Sequence, residues 1–206
     1  MKILEKYRLK IIFILFLLTS YSITAQSKKL LILGDSISAG YGIKESENWV
    51  SLLQSKFDKE ILEIFNSSIS GETTIGGLSR ISTALDKFNP DIVLIELGGN
   101  DALRGYPPIR IKNNLKNIIL KVKENGALPL LMQIRIPPNY GQKYVLAFEE
   151  VFKEISQEEE ISLIPFMLNN VALDKSLMQR DGIHPNIKAQ PIIAKFLKEN
   201  LLKFIE

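Results

Sequence analysis

The stretch QRDGIHPN, residues 179–186, holds the one histidine of a 206-residue chain, His184, three positions after Asp181. Gly182 and Pro185 make the segment an irregular loop, not a helix. In such a loop a carboxylate can reach the imidazole, fix its tautomer and stabilise the imidazolium. A neutral imidazole held that way relays protons, taking one from a hydroxyl nucleophile and returning it to a leaving group. The plain alternative is a surface or core histidine. Three other stretches carry the missing roles. In GDSISAGYG (34–42), Ser36 sits on a tight glycine-flanked turn that can expose its hydroxyl and set its own N–H at a helix start. Ser36 equally suits a helix cap, and the G-x-S-x-G elbow is absent because Ser38 stands where its second glycine belongs. In SISGETT (68–74), Gly71 either brings a backbone N–H to a reacting carbonyl or is an ordinary turn glycine. In ELGGNDALRG (96–105), the Asn100 amide either donates to a developing oxyanion or closes an Asx turn. Together these residues fill the parts of acyl transfer: nucleophile, base, orienter and oxyanion donors.

Such residues act only if a scaffold gathers them. Short apolar runs alternate with longer amphipathic ones along the chain. Strand patterns fall at 29–35, 61–69, 91–99, 127–134 and 161–166. Helical spacing covers 46–57, 74–88, about 109–125, about 143–158 and about 188–204. The run DIVLIELGG (91–99) is apolar along most of its length, as in a strand covered on both faces. Strand and helix in alternation predict an α/β fold, a parallel sheet with helices on both sides. Chemistry in such folds gathers at the carboxyl ends of the strands, where the sheet order reverses. Those ends fall after residues 35, 69, 98 and 134, and the unusual stretches lie at the first three.

Composition removes several classes of function. With no cysteine, disulfides, thiolate zinc sites, iron–sulfur clusters and cysteine nucleophiles are excluded, and one histidine argues against a transition-metal site. The formal net charge of +3 comes from the first ten residues, MKILEKYRLK. That basic head, the apolar run IIFILFLL and the small residue Ala25 predict a secretory signal peptide over residues 1–25, cut before Gln26. The apolar run is shorter than the roughly 20 residues that span a bilayer, which disfavours the alternative of a permanent anchor. No cysteine comes after the cut to carry a lipid. Residues 26–206 hold 22 basic and 22 acidic side chains, so charge gives no support for a nucleic-acid partner or an anionic membrane surface. Their length suits a single domain, with monomer as the default. The expected location is periplasmic or secreted.

GDSISAGYG, SGET, GGND and DGIHP resemble, in order, the four blocks of the SGNH (GDSL-type) hydrolases, and the similarity runs from about residue 29 to 201. The resemblance implies a flavodoxin-like three-layer α/β/α sandwich with a five-stranded parallel sheet. It implies Ser36 as nucleophile, His184 as base and Asp181 as its orienter, with the Ser36 and Gly71 N–H groups and the Asn100 amide as the oxyanion hole. It implies no metal or organic cofactor, and as substrates acyl esters, thioesters and lysophospholipids. The loop 101–108 would border an acyl groove. Leu103, Tyr106, Ile109, Ile136, Pro137 and Pro138 fall at the expected rim and either line that groove or anchor loops to the core. Two other readings share the fold: an O-deacetylase of carbohydrate or peptidoglycan, and a non-catalytic acyl carrier.

Overall fold

A computed structural model describes residues 27–205; the expected signal peptide, residues 1–25, lies outside the described residues. The strands are β1 (Lys28–Gly34), β2 (Leu62–Asn66), β3 (Ile92–Glu96), β4 (Leu128–Met132) and β5 (Ser162–Ile164). All pair in parallel, in the order β2-β1-β3-β4-β5. The helices are α1 (Ser36–Ala39), α2 (Trp49–Gln54), α3 (Thr74–Phe88), α4 (Gly99–Leu103), α5 (Pro108–Glu124), α6 (Gln142–Glu158) and α7 (Gln190–Ile205). α3, α5 and α6 pack side by side in one layer, and α2 packs against α7 in the other. This is the three-layer α/β/α sandwich that the resemblance implied.

Burial tracks position in the sheet. Every residue of β3 is buried, and Leu30–Gly34 of β1 are buried too, because helices cover both faces of these central strands. β2 lies at an edge and keeps Glu63, Ile64 and Phe65 half-exposed, so its sequence alternates. Pro129 sits within β4 without cost to pairing. The Leu128 N–H bonds toward β3, to the Asp91 carbonyl, so the missing Pro129 N–H faces the β5 side. There the ladder begins only at Leu130, opposite Ser162.

Several elements differ from their expected extents, including β4 and β5, which end at Met132 and Ile164 where 134 and 166 were expected. The helix expected over 46–57 is confined to α2, since Asn48 is extended at φ −74, ψ 158 and its side chain caps the Ser51 N–H at 2.9 Å. β3 stops at Glu96 because Gly98 takes φ +118, and the chain continues as a short helix, α4, in place of the expected open loop. β2 is a strand only to Asn66, although the Ser67 and Ile69 N–H groups still bond to β1 carbonyls.

The topology places the switch point between β1 and β3, so α1 and α4 open side by side at the carboxyl edge of the sheet. Trp49 anchors this end. It is fully buried, its indole N–H donates to the Ile37 carbonyl at 3.1 Å, and its backbone N–H donates to Gln190 Oε1 at 2.9 Å. One residue thus ties α1 to α2 and α7. On the opposite face Phe148 and Phe152 meet edge-to-face at 5.2 Å.

Candidate active site

Ser36 is the first residue of α1, a single turn bounded by Asp35 and by Gly40 in the left-handed region at φ +76. Asp35 Oδ1 accepts the Ile37 N–H at 3.0 Å, the ordinary N-cap bond. The cap is therefore Asp35, which leaves the Ser36 hydroxyl free for other work. Ser36 Oγ lies 2.9 Å from His184 Nε2, and His184 Nδ1 lies 2.7 Å from Asp181 Oδ2. Asp181 Oδ1 also accepts the Ile183 and His184 N–H groups, at 2.9 and 3.0 Å. A carboxylate so placed fixes the proton on Nδ1 and leaves Nε2 to accept from the serine. Burial acts to raise the Asp181 pKa, but these hydrogen bonds together outweigh it and hold the group down at about 2.

The loop that carries His184 is held by bonds of its own. Met178 and Pro185 form an antiparallel bridge, and the Gln179 N–H donates to the His184 carbonyl at 2.8 Å. The Gln179 amide donates to the Tyr41 carbonyl at 2.8 Å, and the Tyr41 ring lies 4.5 Å from the imidazole. Neither residue carries a signal in the sequence, because they meet across 138 positions of chain.

Gly71 occupies the third position of the turn Ile69–Glu72 at φ +79, as a type II turn requires. Among the described residues no acceptor takes the Ser36 or Gly71 N–H. The Asn100 amide donates one hydrogen to Asp35 Oδ2 at 3.1 Å, and its second hydrogen remains available. Two contacts tie the Gly71 segment to the Asn100 segment. Arg104 Nη2 donates to the Gly71 carbonyl at 3.1 Å. Fully buried Asp101 accepts both the Thr74 N–H, at 2.8 Å, and the Thr74 hydroxyl, at 2.6 Å. Asp101→Ala would strand both donors in the interior, a loss of about 3 kcal/mol on the scale of unsatisfied buried polar groups. Urea unfolding of the variant measures it, and Asp101→Asn, which keeps one acceptor, is expected to lose less.

Two more carboxyls lie beneath the serine. Burial pushes Asp35 up to about 6, against the bond from Ile37, the charge of His184 and the bond from Asn100. Burial, then the neighbouring Asp35, lifts Glu96 well above the usual carboxylate range. Glu96 Oε2 accepts the Ser38 hydroxyl at 2.6 Å and the Asp35 N–H at 3.3 Å. A Cβ at Gly34 would lie 2.7 Å from that oxygen, so only glycine lets the carboxyl pass under the first block.

Ser36, Asn100 and His184 open on a mostly apolar cavity of about 560 Å³. Leu103, Ile136, Pro137 and Pro138 line it. Tyr106 and Ile109 do not. Past Gly105, at φ +71, the chain turns away into α5. Tyr106 stacks under Arg110 at 4.4 Å and its carbonyl accepts the Tyr144 hydroxyl, while Ile109 is 62% exposed. The far wall comes instead from the segment after β5, Phe166, Met167, Leu168 and Leu173, together with Ile183 beside the histidine. Gly71 and Asp181 stand outside the lining, Asp181 holding the imidazole from behind.

Residues 32–190 match the profile of the GDSL-like Lipase/Acylhydrolase family. The chain is 44% identical over 181 residues to an arylesterase of Vibrio mimicus, covering 87% of this chain and 90% of the relative. It is 44% identical over 187 residues to thioesterase 1/protease 1/lysophospholipase L1 of Escherichia coli K12, covering 91% and 89%. Among solved structures, the psychrotrophic esterase EstA of Pseudoalteromonas sp., inhibited by monoethylphosphonate, superposes with a TM-score of 0.84 at 42% identity, covering 87% of this chain and 99% of that one. With the four blocks brought to one edge of a shared sheet, the chain belongs to the GDSL-like lipase/acylhydrolase family.

Proposed function

We propose that the chain is an exported serine hydrolase that cleaves acyl esters and thioesters through an acyl-enzyme on Ser36. The observation that carries this reading is the run Ser36 Oγ, His184, Asp181, at 2.9 and 2.7 Å, opening on an apolar cavity. His184 takes the Ser36 proton as Oγ attacks the acyl carbonyl. Charge on the carbonyl oxygen is met by the Ser36 and Gly71 N–H groups and the free hydrogen of the Asn100 amide. Collapse expels the alcohol or thiol, protonated by His184 Nε2. Water then attacks the acyl carbonyl with the same imidazole as base, and Ser36 leaves with its proton restored. One imidazole serves both halves of the cycle. The relatives named arylesterase and thioesterase 1/protease 1/lysophospholipase L1 support ester, thioester and lysophospholipid substrates here. The basic and apolar residues 1–25 support export to the periplasm or beyond, and a substrate drawn from that side of the membrane.

The test is a series of p-nitrophenyl esters from acetyl to palmitoyl, turned over by residues 26–206 with Ser36→Ala as control. The expected result is a rate maximum beyond acetyl that disappears in the variant. Activity confined to acetyl would turn the reading to a deacetylase. Palmitate binding without any Ser36-dependent turnover would turn it to an acyl carrier.

A further inference from the structure

We infer that Asp35, in its ionised form, is a positioning residue that aims the Asn100 amide at the substrate oxygen. The inference rests on the acyl-transfer reading and adds to it a part for a buried carboxylate that the proton relay does not use. An amide that must donate to a transient oxyanion can rotate about its side-chain torsions or present its oxygen by mistake. Here one amide hydrogen is already committed to Asp35 Oδ2 at 3.1 Å, which settles which end of the amide is nitrogen and where the second hydrogen points. Asp35 is itself immobile. It is 5% exposed, its Oδ1 is committed to the Ile37 N–H at 3.0 Å, and its backbone N–H is bonded to Glu96.

Both Asp35 oxygens act as acceptors, so a proton on either would compete with one of the two bonds. The groups that face this carboxyl are Glu96 from the end of β3, Asp101 from α4 and His184 from the loop before α7. Glu96 is buried, and burial together with the neighbouring Asp35 raises its pKa, so a charge on one carboxyl of the pair opposes a charge on the other. Asp101 opposes ionisation of Asp35, and a charged imidazolium favours it. The pKa of about 6 leaves Asp35 ionised at neutral pH and protonated in mild acid. Mild acid would therefore free the Asn100 amide.

The experiment is a cycle of Asp35→Asn, Asn100→Ala and the double variant, with kcat and KM for one p-nitrophenyl ester and the pH profile of kcat/KM. Asparagine at 35 offers one acceptor where two are needed. Asp35→Asn is expected to lower kcat by about 10- to 100-fold, below the full loss of an oxyanion donor, with KM within about threefold. In the Asn100→Ala background the same change is expected to cost less than about threefold, because the group it aims is gone. A merely structural part for Asp35 would give the same loss in both backgrounds, and that result overturns the inference. The acid limb of kcat/KM is expected to carry one ionisation more in the unmodified protein than in Asp35→Asn. If Asp35→Asn does not fold, the Asn100→Ala profile decides, and an acid limb there identical to that of the unmodified protein overturns the inference. Full activity in Asn100→Ala overturns the oxyanion hole and this inference together. Additivity of the two losses overturns only the inference.

Discussion

Alanine at position 184 is expected to lower kcat toward a p-nitrophenyl ester by at least about 10⁴-fold, the scale on which a serine hydrolase loses its base. The loss should appear in kcat and in kcat/KM alike, since the imidazole touches the serine and not the acyl chain. His184 is the only histidine, and among the described residues the Ser36 hydroxyl meets no other base at hydrogen-bonding distance. Folding should survive. The loop is fixed by the Met178–Pro185 bridge and by the Gln179 and Asn186 side chains, none of which needs the imidazole. Ser36→Ala combined with His184→Ala is expected to be no slower than either alone, because the two act as one unit. Asp181→Asn belongs to the same prediction. Its amide nitrogen would face either Nδ1 or the two backbone N–H groups that Asp181 now satisfies, disturbing tautomer and loop together. The acid limb is not set by Asp181. Its pKa is held down at about 2, so its contribution to stability is complete above the ordinary 3.8 and lost only as pH falls through about 2. A kcat within about tenfold of the unmodified protein in His184→Ala would remove the proton relay from the mechanism.

Which parts of this site can be read from the chain depends on how local each interaction is. The four blocks are local: each places its residue at the end of one strand or in one loop, and glycine, serine, asparagine and histidine in those turns carry their own reasons. β3 is legible because a strand covered on both faces admits nothing polar until Glu96, and that one acid in an apolar run is the available sign of a buried carboxyl. The sign is faint because DIVLIELGG fits a plain core strand, and only the fold shows that its end lies under Gly34. The far wall of the cavity is not legible. Phe166 to Leu173 come after a strand of three residues and meet Ser36 only once the sheet has set β5 three strands away from β1. Tyr106 and Ile109 mislead for the opposite reason. Nearness in sequence to Leu103 suggests the rim, while Gly105 and Pro107 turn the backbone away within two residues.

Asn100→Ala is expected to lower kcat by about 10²- to 10³-fold, the usual cost of one oxyanion donor, with KM within about threefold. The reasoning is one of timing. On the proposed reading the acyl chain lies in the mostly apolar cavity that Asn100 borders, and ground-state binding of that chain is expected to sense the amide little. Full negative charge on the carbonyl oxygen exists only during attack and collapse, and that is when the free amide hydrogen matters. Removing the amide also withdraws a hydrogen bond that lowers the Asp35 pKa, so that group is expected to titrate higher in the variant. Since a raised carboxyl pKa makes the folded state hold its proton longer than the unfolded chain does, the contribution of Asp35 to stability falls as pH rises from 3.8 to about 6 in the unmodified protein. In Asn100→Ala that decline should extend to higher pH, and urea midpoints at pH 5 and pH 8 measure it. The two readouts separate the candidate roles of this fold. An acyl carrier predicts unchanged palmitate affinity and no rate to lose. An Asn100 that merely closes a turn predicts a stability change with kcat intact. The hydrolase predicts a collapsed kcat, a preserved KM and a shifted pH dependence of stability in one variant, because a single amide stands between the reacting oxygen and a buried carboxylate.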